Sequence, residues 1–132
     1  MAGIDRRTGA IIDDLSSTLQ ATVFILSTRL STVVLLREFG GGVIELLGRR
    51  MTPTLFAVWQ QLIATAIELW EPRFAIRRVV PTGSVEQIRM GIAGLLIEAD
   101  FRPRGHLGDF TVERVVGFTL GFGGSTITAV AA

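Results

Sequence analysis

The sequence predicts an α+β fold, with two main helices packed on a small, mostly antiparallel sheet. Three observations carry this prediction. Residues 55–70 hold an apolar stripe at helical spacing, wide enough to be buried on more than one side. Two later stretches, 88–102 and 111–122, alternate with the period of two that belongs to strands. Between the helical and the extended patterns stands Pro72, which pushes the residue before it out of the α region.

The elements follow in order. Residues 1–9 read as a polar lead. Apolar residues at 11, 12, 15, 19, 23 and 26 then describe one face of a helix over roughly 10–28. Asp13 and Asp14 lie in its first turns, where the helix dipole favours anions. Val33 to Leu36 is a short β-branched and apolar run, which predicts a strand, and Gly40, Gly41 and Gly42 punctuate it. Val43 to Leu47 predicts one or two helical turns closed by Gly48. Thr52 and Pro53 form a helix start, with proline at the first helical position. After Pro72, Phe74 to Val80 reads as a strand interrupted by Arg77 and Arg78, which suggests a bulge. "PTGS" at 81–84 signals a turn. Ile88 to Arg102 follows as a long strand antiparallel to 74–80, and 102–109 is a loop. The last alternation places Val112, Arg114, Val116, Phe118, Leu120 and Phe122 on one face. Its other face is rich in glycine, which predicts an unpaired edge strand, a pairing liability unless a partner covers it. This C-terminal strand is expected to be available for sheet completion between subunits.

Composition narrows the function. The 132 residues are about the length of a single domain. Formal net charge is +1, which gives no basic excess of the kind nucleic-acid binding shows. All the basic residues are arginine, whose planar donor fork suits ion pairs at interfaces. With no cysteine, disulfides, zinc thiolates and thiol nucleophiles are excluded. The longest uncharged stretch in the helical region, Leu15 to Thr28, is too short and too polar to span a membrane. The start, "MAGIDRRTGAII", lacks signal-peptide order. No nucleic acid and no membrane are therefore expected among its partners.

Catalysis finds little support. His106 is the lone histidine and sits in a Gly-rich turn with only Asp109 near it. Glu68 and Glu71 share a helix end, and Glu98 and Asp100 share a strand face. A glycosidase needs carboxylates on both sides of the scissile bond, which a pair on one element cannot readily supply. The glycines of "GGGVIELLGRR" could cradle a phosphate, but the Lys-Ser/Thr of a P-loop is missing. No catalytic, metal or cofactor-binding residue is assigned, and no cofactor is expected.

The corner at 70–74 stands out. Glu71 lies at the negative end of a helix dipole, an unfavourable place for an anion. Two residues on, across a rigid proline, stands Arg73. Either the two close a local salt bridge, or the corner presents them to another chain. Trp70 beside them belongs, with arginine, to the residue types enriched at interface hot spots.

"ILSTR" (25–29), "REFGGG" (37–42) and "AIELWEPRFAIRRV" (66–79) occur here in the order seen in one family. Over about residues 10–102 the chain resembles the baseplate wedge proteins of contractile phage tails, the phage protein W type, which include a type VI secretion baseplate subunit. It departs from them at Leu30-Ser31, where a glycine is common, and in its longer Gly-rich tail. The resemblance implies one domain over 1–132, with a family-like core at 10–102 and a loop and C-terminal strand at 103–132. It implies a non-enzymatic sheath initiator, joining the wedge core to the first sheath ring. The implied partners are other wedge proteins, the sheath protein, and tube or hub proteins, with several copies in a symmetric ring. Its location would be the virion tail baseplate, assembled in the host cytoplasm. Expected contact residues are Trp70, Glu71, Pro72 and Arg73 at the corner, and Val112, Arg114, Val116, Phe118 and Leu120 on the last strand. Alternatives are a subunit of a type VI or other contractile injection system, a small cell-wall glycosidase, and an adaptor that dimerises through the 111–122 edge.

Overall fold

A computed structural model describes residues 3–41, 53–82, 86–87, 92–123 and 126–131. Its elements are β1 (Gly3–Ile4), β2 (Ile11–Ile12), α1 (Asp14–Ser27), α2 (Pro53–Trp70), β3 (Phe74–Thr82), β4 (Ile92–Phe101), β5 (Arg114–Gly123) and β6 (Thr126–Ala131). The architecture is α+β, as the sequence predicts. Strands β3-β4-β5-β6 form an antiparallel sheet in that order, and both helices pack on one of its faces.

The first helix starts later than its apolar pattern suggests. Asp13 caps it, its Oδ1 accepting the Ser16 N–H at 3.0 Å. Ile11 and Ile12 instead pair with Gly3 and Ile4, so the polar lead forms the return of a small hairpin. Gln20 of α1 holds that hairpin down. Its Oε1 accepts the Arg6 N–H, and its Nε2 donates to the Ile4 carbonyl. Thr18 and Thr22 are buried on α1, with their hydroxyls donating to the carbonyls of Asp14 and Thr18.

The run Val33 to Leu36 is not a strand. It turns, with the Leu36 N–H bonding the Val33 carbonyl and the Ser31 N–H the Arg37 carbonyl. Among the described residues no strand lies beside it, and Val34 and Leu35 are exposed. A β-branched run has only a propensity to extend; without a neighbour its backbone groups bond locally. The predicted turns at 43–47 and the cap at Thr52 lie outside the described residues.

α2 occupies the predicted range, and β3 carries the predicted bulge, between Ile76 and Arg78. Pro81 and Thr82 belong to β3 rather than to a turn, while 83–84 and 88–91 lie outside the described residues. The inner face of the sheet is made by Phe74, by Leu95, Ile97, Ala99 and Phe101, and by Val116, Phe118, Leu120 and Phe122. Trp59 and Ile63 of α2 close over it, Trp59 meeting Phe122 edge-on at 4.7 Å, and Phe74 stacks on Phe118 at 5.0 Å. Each such side chain, fully buried, contributes about 1.5–3 kcal/mol.

Candidate interaction site

The corner question has a geometric answer. Glu71 is 4% exposed. Arg73 turns back on it in a two-point contact, Nε to Oε1 at 2.8 Å and Nη2 to Oε2 at 2.9 Å. The Arg73 N–H also reaches Oε1. Pro72 makes this possible by ending α2 and fixing the backbone between the two side chains. The pair therefore closes within the chain, as the local reading has it. It satisfies a buried carboxylate that the helix dipole would otherwise disfavour.

The residues of the three motifs meet at this corner. Thr28 leaves α1 with its carbonyl against Gly40, where a Cβ would lie 2.6 Å from that oxygen. Gly40 has φ +128°, a conformation side chains rarely adopt. The Gly41 N–H bonds the same carbonyl. Between these ends Phe39 inserts, touching Phe24 at 5.8 Å and Trp70 at 5.0 Å. On the far side, Gly105 lies on the Pro72 carbonyl, so closely that a Cβ would collide with it. The Arg102 N–H bonds the Arg73 carbonyl. The corner thus positions the 102–110 loop, where the Arg102 guanidinium lies over the exposed Phe110 ring.

The second predicted site is rearranged. β5 is not an edge: it pairs with β4 along ten positions and with β6 along six. Val116, Phe118 and Leu120 face the core and are buried. Arg114 is exposed and pairs with Glu113, and Val112 precedes the strand and is exposed. Among the described residues the open edge belongs to β6, residues 126–131, a strand beyond the predicted one. Its signal was present: glycines at 123–124 ahead of alternating Thr126, Ile127, Thr128, Ala129 and Val130 mark a hairpin return.

The two outer strands differ. β3 carries a bulge, Pro81, and the exposed Arg77 and Arg78, which pair with Asp100 and Glu98. These are devices that deter edge-to-edge pairing. β6, "TITAVA", has no charge, no proline and a continuous register with β5. Beside its outer end runs an open groove of about 440 Å³ between α1, the hairpin and Ala129–Ala131.

This is a contractile-tail baseplate type of fold, and solved structures show which ones it is like. A chain in the postcontracted baseplate of pyocin R2 superposes with a TM-score of 0.62 at 26% identity. The match covers 76% of this chain and 98% of that one. A candidate tail lysozyme from Geobacter sulfurreducens also superposes with a TM-score of 0.62, covering 92% of this chain and 94% of that chain. At 17% identity that likeness is one of fold. No family model matches the chain, and no curated protein matches it.

Proposed function

We propose that this protein is a baseplate component of a contractile tail. It joins the wedge core to the first sheath ring and initiates sheath assembly. The likeness to a pyocin R2 baseplate chain, over 98% of that chain's length, carries the reading. The bare β6 edge supplies the means, because unpaired strand N–H and C=O groups are satisfied by another extended chain. The sheath protein is the partner for that edge. Trp70, Glu71, Pro72 and Arg73 serve the contact with other wedge subunits: the ion pair holds the corner rigid, and Pro72 and the 102–110 loop present its surface.

Affinity purification of the tagged chain from cells assembling the particle tests this. Wedge and sheath proteins are expected in the eluate, with crosslinks from 126–131 to sheath. Recovery of the chain alone, or only with itself, would overturn the reading in favour of a homodimeric adaptor.

The name of the Geobacter neighbour favours one competing reading, a cell-wall glycosidase. Here the carboxylates of Glu71, Glu98, Asp100 and Glu113 are each paired with an arginine, which is a structural use of these groups. Clearing of a peptidoglycan suspension by the purified chain would support the enzyme instead.

A further inference from the structure

The arginines along the sheet fall into two groups. Arg73, Arg77, Arg78 and Arg114 each pair with a carboxylate of their own chain. Arg102 and Arg104, where the loop leaves β4 behind the corner, pair with none among the described residues. The carboxylates nearest in sequence are engaged already. Asp109 Oδ1 accepts both the N–H and the hydroxyl of Thr111, and Glu113 takes Arg114. Arg102 is half-buried, its Nε meets no acceptor, and its guanidinium lies over the Phe110 ring, 5.0 Å from the centroid. Its outer nitrogens are the donors left for a partner. The ring beneath is 58% exposed and Leu107 is 65% exposed, so the loop shows apolar surface beside unpaired cations. It is also held in place. The Arg102 N–H bonds the Arg73 carbonyl, Gly105 rests on the Pro72 carbonyl, and a 3-10 turn over Gly105–Leu107 closes on Gly108 at φ +90°. At its exit the Glu113 N–H bonds the Phe101 carbonyl at 2.9 Å. A loop fixed in this way presents its side chains with little ordering left to do on binding.

Resting on the reading of the corner as a wedge contact, we infer that the 102–110 loop binds an acidic segment of the wedge partner, one that carries an aliphatic or aromatic residue beside its carboxylates. Carboxylates of that segment meet Arg102 and Arg104, and the apolar residue packs on Phe110 and Leu107. Charge complementarity selects this occupant, because the chain supplies no carboxylate to either arginine. The planar guanidinium fork matches a carboxylate in two places. Arginine and aromatic side chains together are typical of interface hot spots. A phosphate backbone is anionic too, but the site lacks the basic stripe that nucleic acid requires. Asp109 and Glu113 follow the two arginines within the same segment, and the whole chain carries a net charge of only +1.

The test uses the full chain and three labelled probes, read by fluorescence anisotropy. One is a peptide with glutamates on both sides of a central Trp-Leu, one is the same peptide with glutamine for glutamate, and one is a short oligothymidylate. The acidic peptide is expected to bind at least about tenfold more tightly than the glutamine peptide or the oligonucleotide. Arg102→Gln and Phe110→Ala should each weaken it about tenfold, and Arg104→Gln about fivefold. Should Arg102→Gln perturb folding, Arg104→Gln and Phe110→Ala keep the test, since both side chains are exposed. Arg37→Gln, which removes an exposed arginine from another loop, should change binding less than twofold. Equal affinity for the acidic and glutamine peptides, no binding of the acidic one, tighter binding of the oligonucleotide, or an equal loss in Arg37→Gln would overturn the inference. The baseplate reading is judged separately, by whether the wild-type chain recovers sheath and wedge proteins. If it does while the peptides are not distinguished, only the acidic-partner inference falls.

Discussion

The two edges of one sheet have opposite characters in this protein. At β3 the backbone bulges between Ile76 and Arg78, Pro81 removes a donor, and two arginines stand outward, each tied to a carboxylate of β4. At β6 six residues run in unbroken register, uncharged, beside an open groove. Evolution ordinarily blunts a free edge because it aggregates. Guarding one and leaving the other bare fits the proposed use of the bare one. The difference also explains the corner. The Glu71–Arg73 pair stands where α2 passes into β3, so the guarded edge is anchored at its first residue, Phe74, whose N–H bonds the Glu71 carbonyl.

Breaking that anchor should have the largest effect. Arg73→Ala leaves the Glu71 carboxylate buried without its partner and is expected to cost about 3 kcal/mol in urea unfolding, the low end for a broken buried pair. A loss below about 1 kcal/mol would place this pair with ordinary surface bridges. A second change makes the edges alike. Arg78→Thr combined with Pro81→Thr removes an exposed ion pair worth about 0–1 kcal/mol and restores a donor to β3. Self-association should then appear in sedimentation velocity where the parent chain shows less. The converse variant, Thr128→Lys, guards β6. It should leave stability within about 0.5 kcal/mol while reducing recovery of sheath protein in the affinity purification.

The smallest effect concerns pH. Hydrogen bonds from Ser16 hold the Asp13 carboxyl below its ordinary value, and the Arg7 N–H does the same for Asp5. Both lie where α1 and the hairpin roof the β6 groove. Each therefore contributes stability that is fully present above the unfolded value of 3.8 and is lost as pH falls through the lowered folded value. Amide exchange in Ile4, Ile11 and the first turn of α1 should quicken below about pH 4 before the β3–β4 pairing does. Simultaneous loss of both would show that the roof does not open on its own.

The legible parts of the fold were those with a local cause. Pro53 and the stripe through Leu55, Trp59, Ile63 and Ala66 specify α2. Pro72 ends it, and the doubled arginines announce the bulge in β3. Other readings failed where a local pattern was compatible with two outcomes. Ile11 and Ile12 fit the helical stripe, but Asp13 is the stronger start signal because its carboxylate reaches the Ser16 N–H. Val33 to Leu36 suits a strand, but among the described residues it has no strand to pair with. At the site, the corner residues were legible and their orientation was not, since a Glu-Pro-Arg sequence allows both an inward and an outward pair.

The sequence by itself determined an α+β chain with two amphipathic helices, a rigid charged corner and strands of period two. These follow from spacing, capping and proline geometry, which act over a few residues. Only the tertiary structure decided which strand is the edge. Alternation is the same in an interior strand and an outer one, so Phe118 and Leu120 read as an available face, whereas both lie in the core beneath the helices and β6 takes the outer place. Edge status, the closing of Arg73 on Glu71, and the groove above Ala129 arise from segments distant in sequence meeting in space, and no local period encodes that meeting.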